Sequence, residues 1–331
     1  MLIAVDTAGG EYAPHAIVKG AIKAAQEYEV DIALVGNKAM LHVLASRYSR
    51  KLGFTIINAD QVIESQEPPI KAIRSKPNSS IVVGLNLVRD GTASAFVSAG
   101  NSGAITAAAL LNLGKIEGVP RPAIGSFINI TPPTPTFLID AGANVNCRAE
   151  HLVWFARLGN LYVSQILDIS SPRVGLLSNG EEKTKGNKLV IESYKLLRKT
   201  KLNFIGNIEG QDILKRAAEV IVTDGFTGNI VLKTIEGISD SWLYSLGQVG
   251  QLFSKAYHLP ARALHRDIGM DSWAKRLDYR EYGGACLLGV NGNVIITHGR
   301  SQAKAIKNAI GLAKQTAERK ISQIIKEESH G

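Results

Sequence analysis

The chain has 331 residues, 45% of them hydrophobic and 20% charged, with a net charge of +9. That length supports a large core, and the composition excludes a disordered or fibrous chain. Two cysteines, Cys147 and Cys286, exclude a disulfide framework; with no CxxC pair and no basic-then-apolar leader, the sequence predicts a reduced, cytoplasmic protein.

In chain order, short β-branched runs alternate with helix-length stretches. Strands are predicted at 2–6, 31–36, 54–58, 94–98, 123–130, 136–140, 173–178, 202–207, 219–224 and 293–298. Helices are predicted at 13–28, 37–50, 101–116, 148–166, 186–200 and 301–325. This alternation implies βαβ units and an α/β fold with a mostly parallel sheet covered on both faces. Segment 238–290 is less regular, and the chain closes with one more strand and helix. Two lobes are predicted: residues 1–145 with 290–331, and residues 146–289.

Residues 91–114 carry no charge and are long enough to span a bilayer. Ser98, Gly100, Asn101, Ser102 and Gly103 interrupt the run in its middle, where a lipid-buried helix tolerates them poorly. The stretch therefore reads as a strand, a glycine turn and a buried helix. A helix N-terminus presents unpaired N–H groups and a dipole that favours anions. Ser and Asn at such a turn serve equally as plain helix caps.

Five further predicted strands end in comparable turns: Asp6-Thr-Ala-Gly-Gly, Asp140-Ala-Gly-Ala-Asn, Ser178-Asn-Gly-Glu-Glu, Asp224-Gly-Phe-Thr-Gly-Asn and His298-Gly-Arg-Ser. Ligands of open α/β sheets bind beyond the carboxyl ends of strands, so six turns of one character point to a shared site. No two glycines are spaced i, i+2, which removes the dinucleotide fingerprint. Gly175 and Gly180 have P-loop spacing, but Glu181-Glu182 follows where a lysine is required. GxSxG and HExxH are absent, and the sequence predicts no metal site. Cys147 with His151 one turn later offers a nucleophile pair; a cysteine packed at a helix start is the alternative. The net positive charge favours anionic partners, yet no nucleic-acid-binding motif accompanies it. One reaction class suits anion turns without nucleotide, metal or protein nucleophile. Inorganic phosphate itself attacks an activated acyl group, and N–H, Asn, Ser and Lys donors stabilise the oxyanion.

Ordered blocks run almost end to end: VDTAGGEYAP (5–14), SAGNSGA (98–104), IEGVPRPAI (116–124), DAGANVNCRAEHL (140–152), PRVGLLSNGEEKTKGN (172–187), NFIGNIEGQDI (203–213), VTDGFTGNIVLKTIEG (222–237) and EYGGACLLGVNGNVIITHGRS (281–301). Through them the chain resembles the PlsX family of bacterial phosphate acyltransferases. The family usually reads DAMGGD where this chain has DTAGGE, and it commonly has Thr at Ser102 and Pro at Cys286. The resemblance implies a three-layer α/β/α Rossmann-like fold related to isopropylmalate dehydrogenases and phosphotransacetylases. It implies a cofactor-free homodimer that converts acyl-(acyl carrier protein) and phosphate to acyl-phosphate, feeding glycerol-3-phosphate acylation. It also implies peripheral membrane association, which would deliver product to a membrane glycerol-3-phosphate acyltransferase.

Site roles follow as expectations. Asp6, Gly9, Gly10, Ser98, Gly100, Asn101, Ser102 and Gly103 form substrate-facing walls in one lobe, with Asn144 nearby. The other lobe offers Asn179, Glu181, Asn187, Asn207, Glu209 and Lys233. Lys185 is either a phosphate counter-charge or a solvated lysine of the EEKTKGN loop. Asp224 and Glu209 are predicted to orient the donors or to steer phosphate protonation, and Asn229 is expected beside them as a catalytic residue. His298 is expected to serve the leaving thiolate or to be a satisfied strand-end histidine. Leu252, Phe253, Tyr257, Leu259 and Leu264 lie among basic residues, a composition suited to anionic lipid or to a dimer helix. Lys195, Arg198, Lys199 and Lys201 form a candidate patch for an acidic carrier protein.

Overall fold

A computed structural model describes residues 1–64, 66–128, 134–257 and 283–329. In its first half, β1 (Leu2–Asp6), β2 (Asp31–Gly36), β3 (Phe54–Asn58) and β4 (Ala95–Ser98) alternate with α1 (His15–Tyr28), α2 (Lys38–Leu52), α3 (Pro69–Ser75), α4 (Ser80–Arg89) and α5 (Ser102–Asn112). Next come β5 (Ala123–Ile128), β6 (Thr136–Ile139), α6 (Ala149–Leu167), β7 (Val174–Leu177), α7 (Lys188–Leu197), β8 (Phe204–Ile208), α8 (Gly210–Lys215), β9 (Val220–Val222) and α9 (Gly225–Tyr257). The described chain ends with β10 (Ala285–Leu288), β11 (Val294–Ile296), α10 (Ala303–Glu318) and α11 (Ile321–Ser329).

The described strands form one sheet in the order β3-β2-β1-β4-β11-β10-β5-β6-β9-β7-β8. Pairing is parallel on both flanks; antiparallel pairs join β11 to β10, β10 to β5 and β5 to β6. Consequently β1–β5 and β11 run one way, while β6–β10 run the other. The carboxyl ends of the two sets lie on opposite edges of the sheet.

Apolar side chains of α1, α2, α6, α10 and α11 cover one face around buried Phe137, Phe155 and Tyr162. The other face carries α3, α4 and α5 over Phe96, and α8 and α9 over Leu138 and Ile221. This is the three-layer α/β/α arrangement expected, with near-continuous burial along central strands such as β5 and β6.

Four helices and one strand escaped the sequence reading. α4 contains an Ile-Val-Val run that looks β-like, yet Ser79 caps the helix and it buries Ile81, Val82 and Leu85. Gly84 lets α4 lie directly on the Phe96 ring, where a Cβ would collide. α9 is rich in Gly, Thr and Ile, weak helix formers in isolation. Packing of Val231, Leu232 and Ile235 against the sheet accounts for its helicity. β10 falls inside the predicted second lobe, 146–289, but pairs with β11 and β5 of the first.

Candidate active site

Beside the carboxyl ends of β4 and β11, the protein encloses a cavity of about 540 Å³ near the reversal of strand direction. Of the residues the sequence singled out, it is lined by Gly10, Gly100, Asn101, Ser102, Gly103, Asn229, Lys233 and His298.

One wall is built from the turns after β1 and β4. Asp6 is buried, and its Oδ1 accepts the N–H groups of Ala8 at 2.9 Å and Gly9 at 3.1 Å. The Ser98 hydroxyl donates to Asp6 Oδ2 at 2.6 Å and accepts the Gly100 N–H at 3.0 Å. The two turns approach so closely that a Cβ on Gly9 would lie 2.6 Å from the Gly100 nitrogen. Asp6, Gly9 and Ser98 therefore hold the wall without lining the cavity. Asn101 caps α5, its Oδ1 accepting the Ala104 N–H at 3.1 Å. Capping thus belongs to Asn101, and Ser102 and Gly103 present the first turn of α5 to the cavity. Ser301 and Ala305, at the start of α10, bring a second helix N-terminus to it. Both helix ends favour an anion there.

The opposite wall is one face of α9. Asn229, Leu232, Lys233 and Glu236 follow the i, i+3, i+4, i+7 spacing that puts side chains on a single helical stripe. Glu236 joins the charged groups: its Oε2 accepts from Lys233 Nζ at 2.8 Å and lies 3.4 Å from His298 Nε2. The Arg300 N–H donates to His298 Nδ1 at 3.0 Å. This bond assigns the imidazole proton to Nε2, on the side of Glu236. Thr297, adjacent in the chain, lines the cavity and has a buried hydroxyl with no hydrogen-bond partner among the described residues.

Sequence reasoning missed Glu236, Glu11, Ser126, Thr297 and Ser301 as cavity residues. Glu236 lay within a quoted motif, and its signal was the helical spacing from Asn229. That signal is legible only once 225–257 is a helix.

Several expected residues serve elsewhere. Asp224 caps α9, accepting the N–H groups of Phe226 and Thr227 at 3.0 Å and the Thr227 hydroxyl at 2.8 Å. Asn144 donates to Asp140 and to the Pro122 carbonyl, both at 2.8 Å. Buried Asp140 gathers five N–H donors from Ile124, Gly142, Ala143 and Asn144, which shape the 140–144 turn. Asn187 caps α7 through the Val190 N–H, and Asn207 donates to the Glu182 carbonyl at 3.0 Å. Glu209 accepts from Gln211 Nε2 at 2.8 Å. None of these lines the cavity, and neither do Asn179, Glu181 and exposed Lys185 on the β7–α7 loop. Their strands explain why. β7 and β8 lie two and three positions beyond β6, roughly 10 and 14 Å at the usual strand spacing.

Cys147 and His151 each bond within their own turn. Burial pushes the Cys147 thiol up to about 11, and its Sγ donates to the Asn144 carbonyl at 3.4 Å. His151 Nδ1 accepts the Arg148 N–H at 3.2 Å, and burial lowers its pKa. Cys286 is buried, its thiol raised by desolvation to about 12. Among the described residues no helix is long and apolar enough to cross a membrane. Leu259 and Leu264 of the expected lipid-contact segment lie outside the described residues, as do the side chains of Leu252, Phe253 and Tyr257 in α9.

Comparison with solved structures places this architecture. A phosphotransacetylase from Streptococcus pyogenes superposes with a TM-score of 0.61 at 18% identity, over 96% of this chain and 94% of its own. A branched-chain phosphotransacylase from Enterococcus faecalis V583 gives 0.59 at 13% identity, over 96% and 99%. The chain thus has the phosphotransacetylase-like Rossmann fold. The family model described as fatty acid synthesis protein matches residues 1–324. A phosphate acyltransferase of Dehalococcoides mccartyi is 55% identical over 99% of this chain and 94% of that protein. Another, from Pelotomaculum thermopropionicum, is 47% identical over 98% and 94%. The chain belongs to this fatty acid synthesis family, the one its motifs resemble, and is an acyltransferase.

Proposed function

We propose that the protein is a phosphate acyltransferase that moves an acyl group from acyl carrier protein to inorganic phosphate, without a cofactor. The observation that carries this reading is the cavity, where two helix N-termini meet the Asn229–Lys233–Glu236 stripe of α9 and His298. The first turn of α5 and Lys233 hold the phosphate, a flexible ammonium beside a glycine turn suiting a mobile dianion. A phosphate oxygen attacks the thioester carbon, the C–O bond forms and the C–S bond breaks. Asn229 and backbone N–H groups stabilise the tetrahedral oxyanion. His298 offers its Nε2–H to the departing sulfur, held in orientation by the Arg300 N–H and Glu236. The thiolate takes the proton of hydrogen phosphate, which becomes more acidic once acylated, so atoms and charge balance without a protein base.

Acyl-phosphate is reactive and apolar at one end, which suits direct delivery to a membrane glycerol-3-phosphate acyltransferase from a cytoplasmic, peripherally bound enzyme. Among the described residues Phe226, Ile230 and Ile238 lie 50–58% exposed on α9, an apolar surface that supports a homodimer. The test is phosphate-dependent release of carrier thiol from palmitoyl-carrier protein, set beside palmitoyl-CoA. Release from the carrier substrate alone, rising with phosphate, is expected. Equal or preferential use of the CoA thioester would replace this reading with a phosphotransacetylase-like one.

A further inference from the structure

Beside the cavity lies a surface that the chemistry above does not use. α3 buries Ala72 and Ile73 and leaves Ile70, Lys71 and Arg74 outside, with Ile70 59% exposed. Around them runs a shallow depression of about 710 Å³, lined by Pro68, Pro69, Ile70, Lys71, Arg74 and Ser75. Among the described residues neither Lys71 nor Arg74 joins an ion pair, whereas nearby Lys76 is held by Glu67 at 2.6 Å. The face is thus an apolar centre with two cations that no carboxylate among the described residues compensates. It is also continuous with the active site. Pro69 packs on the first turn of α5, its Cγ 3.3 Å from where a Cβ on Gly103 would stand, and Gly103 lines the cavity.

We propose that this α3 face docks an acidic carrier protein that presents the acyl thioester. Ile70 enters the partner's apolar seam and Lys71 and Arg74 pair with its carboxylates, so that the prosthetic arm starts at the cavity mouth. The inference rests on the acyl-carrier reading of the site. Charge complementarity and continuity with the cavity select this face over the Lys195, Arg198, Lys199 and Lys201 cluster. That cluster ends α7, which packs with α6 on the other face of the sheet.

The experiment measures acyl-phosphate formation by wild type and by Lys71→Glu/Arg74→Glu. Two donors are used, acyl carrier protein and a small thioester, octanoyl-pantetheine. The double variant is expected to raise KM for the carrier substrate at least about tenfold at unchanged kcat, leaving the small donor unaffected. Ile70→Gln should raise it less. Wild-type KM should climb with ionic strength and the double variant's should not. An unchanged carrier KM, or an equal loss with the small donor, would overturn the proposal. So would retention of carrier KM together with lost flotation on anionic vesicles, which would reassign the face to lipid. Failure of wild type to use the carrier substrate at all would strike the underlying activity instead, and the wild-type arm reads that separately.

Discussion

Two glycine-bearing turns, 98–103 after β4 and 178–187 after β7, look alike in sequence, and only the first lines the cavity. Both follow a buried parallel strand and lead into a helix capped by an asparagine, Asn101 or Asn187. They differ in place. The first stands beside the reversal of strand direction, and one face of α9 lies opposite it across the cavity. The second hangs from the far flank, on strands running the opposite way. Turn chemistry makes an anion site available; the position of its strand in the sheet determines whether anything faces it.

The largest test of this contrast is Glu236→Gln. Loss of the carboxylate that joins Lys233 and His298 should lower kcat by about two orders of magnitude, while Glu181→Gln on the second turn should stay within about twofold. Steady-state kinetics under saturating phosphate separates the two; similar losses would erase the distinction between the turns.

A smaller effect sharpens it further. Lys233→Ala should raise KM for phosphate by about ten- to thirtyfold, more than Lys185→Ala does. The reverse order would show that the 178–187 turn comes to the cavity during turnover.

The smallest test concerns the far flank itself, where Arg173 grips Glu219 at 2.6 Å and ties the start of β7 to β9. The Arg173 bonds hold the Glu219 pKa below its usual value of 4.5 against the opposing effect of its burial. A carboxylate depressed in the folded state adds stability above its unfolded pKa and loses it as pH falls through the folded one. Wild type should therefore lose about 1 kcal/mol relative to Glu219→Gln as pH drops from about 5 to 3, a modest value because Arg173 is part-exposed. Urea melts at the two pH values would show it, and activity at neutral pH should not change.

Much of the frame was legible because buried strands are short and β-branched. β1, β2 and β3 fall where their sequences predict, to the residue. The glycine turn after β4 was legible too, since a Ser-Ala-Gly-Asn-Ser-Gly run has few other uses. Glu236 was not, because it depends on α9, whose Gly228, Gly237 and Thr234 argue against a helix until the sheet supports it. Asp224 was ambiguous for a related reason: a carboxylate in a glycine turn looks the same as a catalytic group and as a helix cap. Its bonds to Phe226 and Thr227 place it at the start of α9.

The sequence by itself determined the α/β class, the glycine turns and the family, because alternating hydrophobic runs and contiguous motifs are local properties. Only the tertiary structure decided which turns meet. That choice depends on strand order and direction across a sheet joining residues up to about 290 positions apart, such as β1 and β11 on either side of β4. No local pattern encodes such pairing; the burial of the whole sheet between its two helical layers selects it.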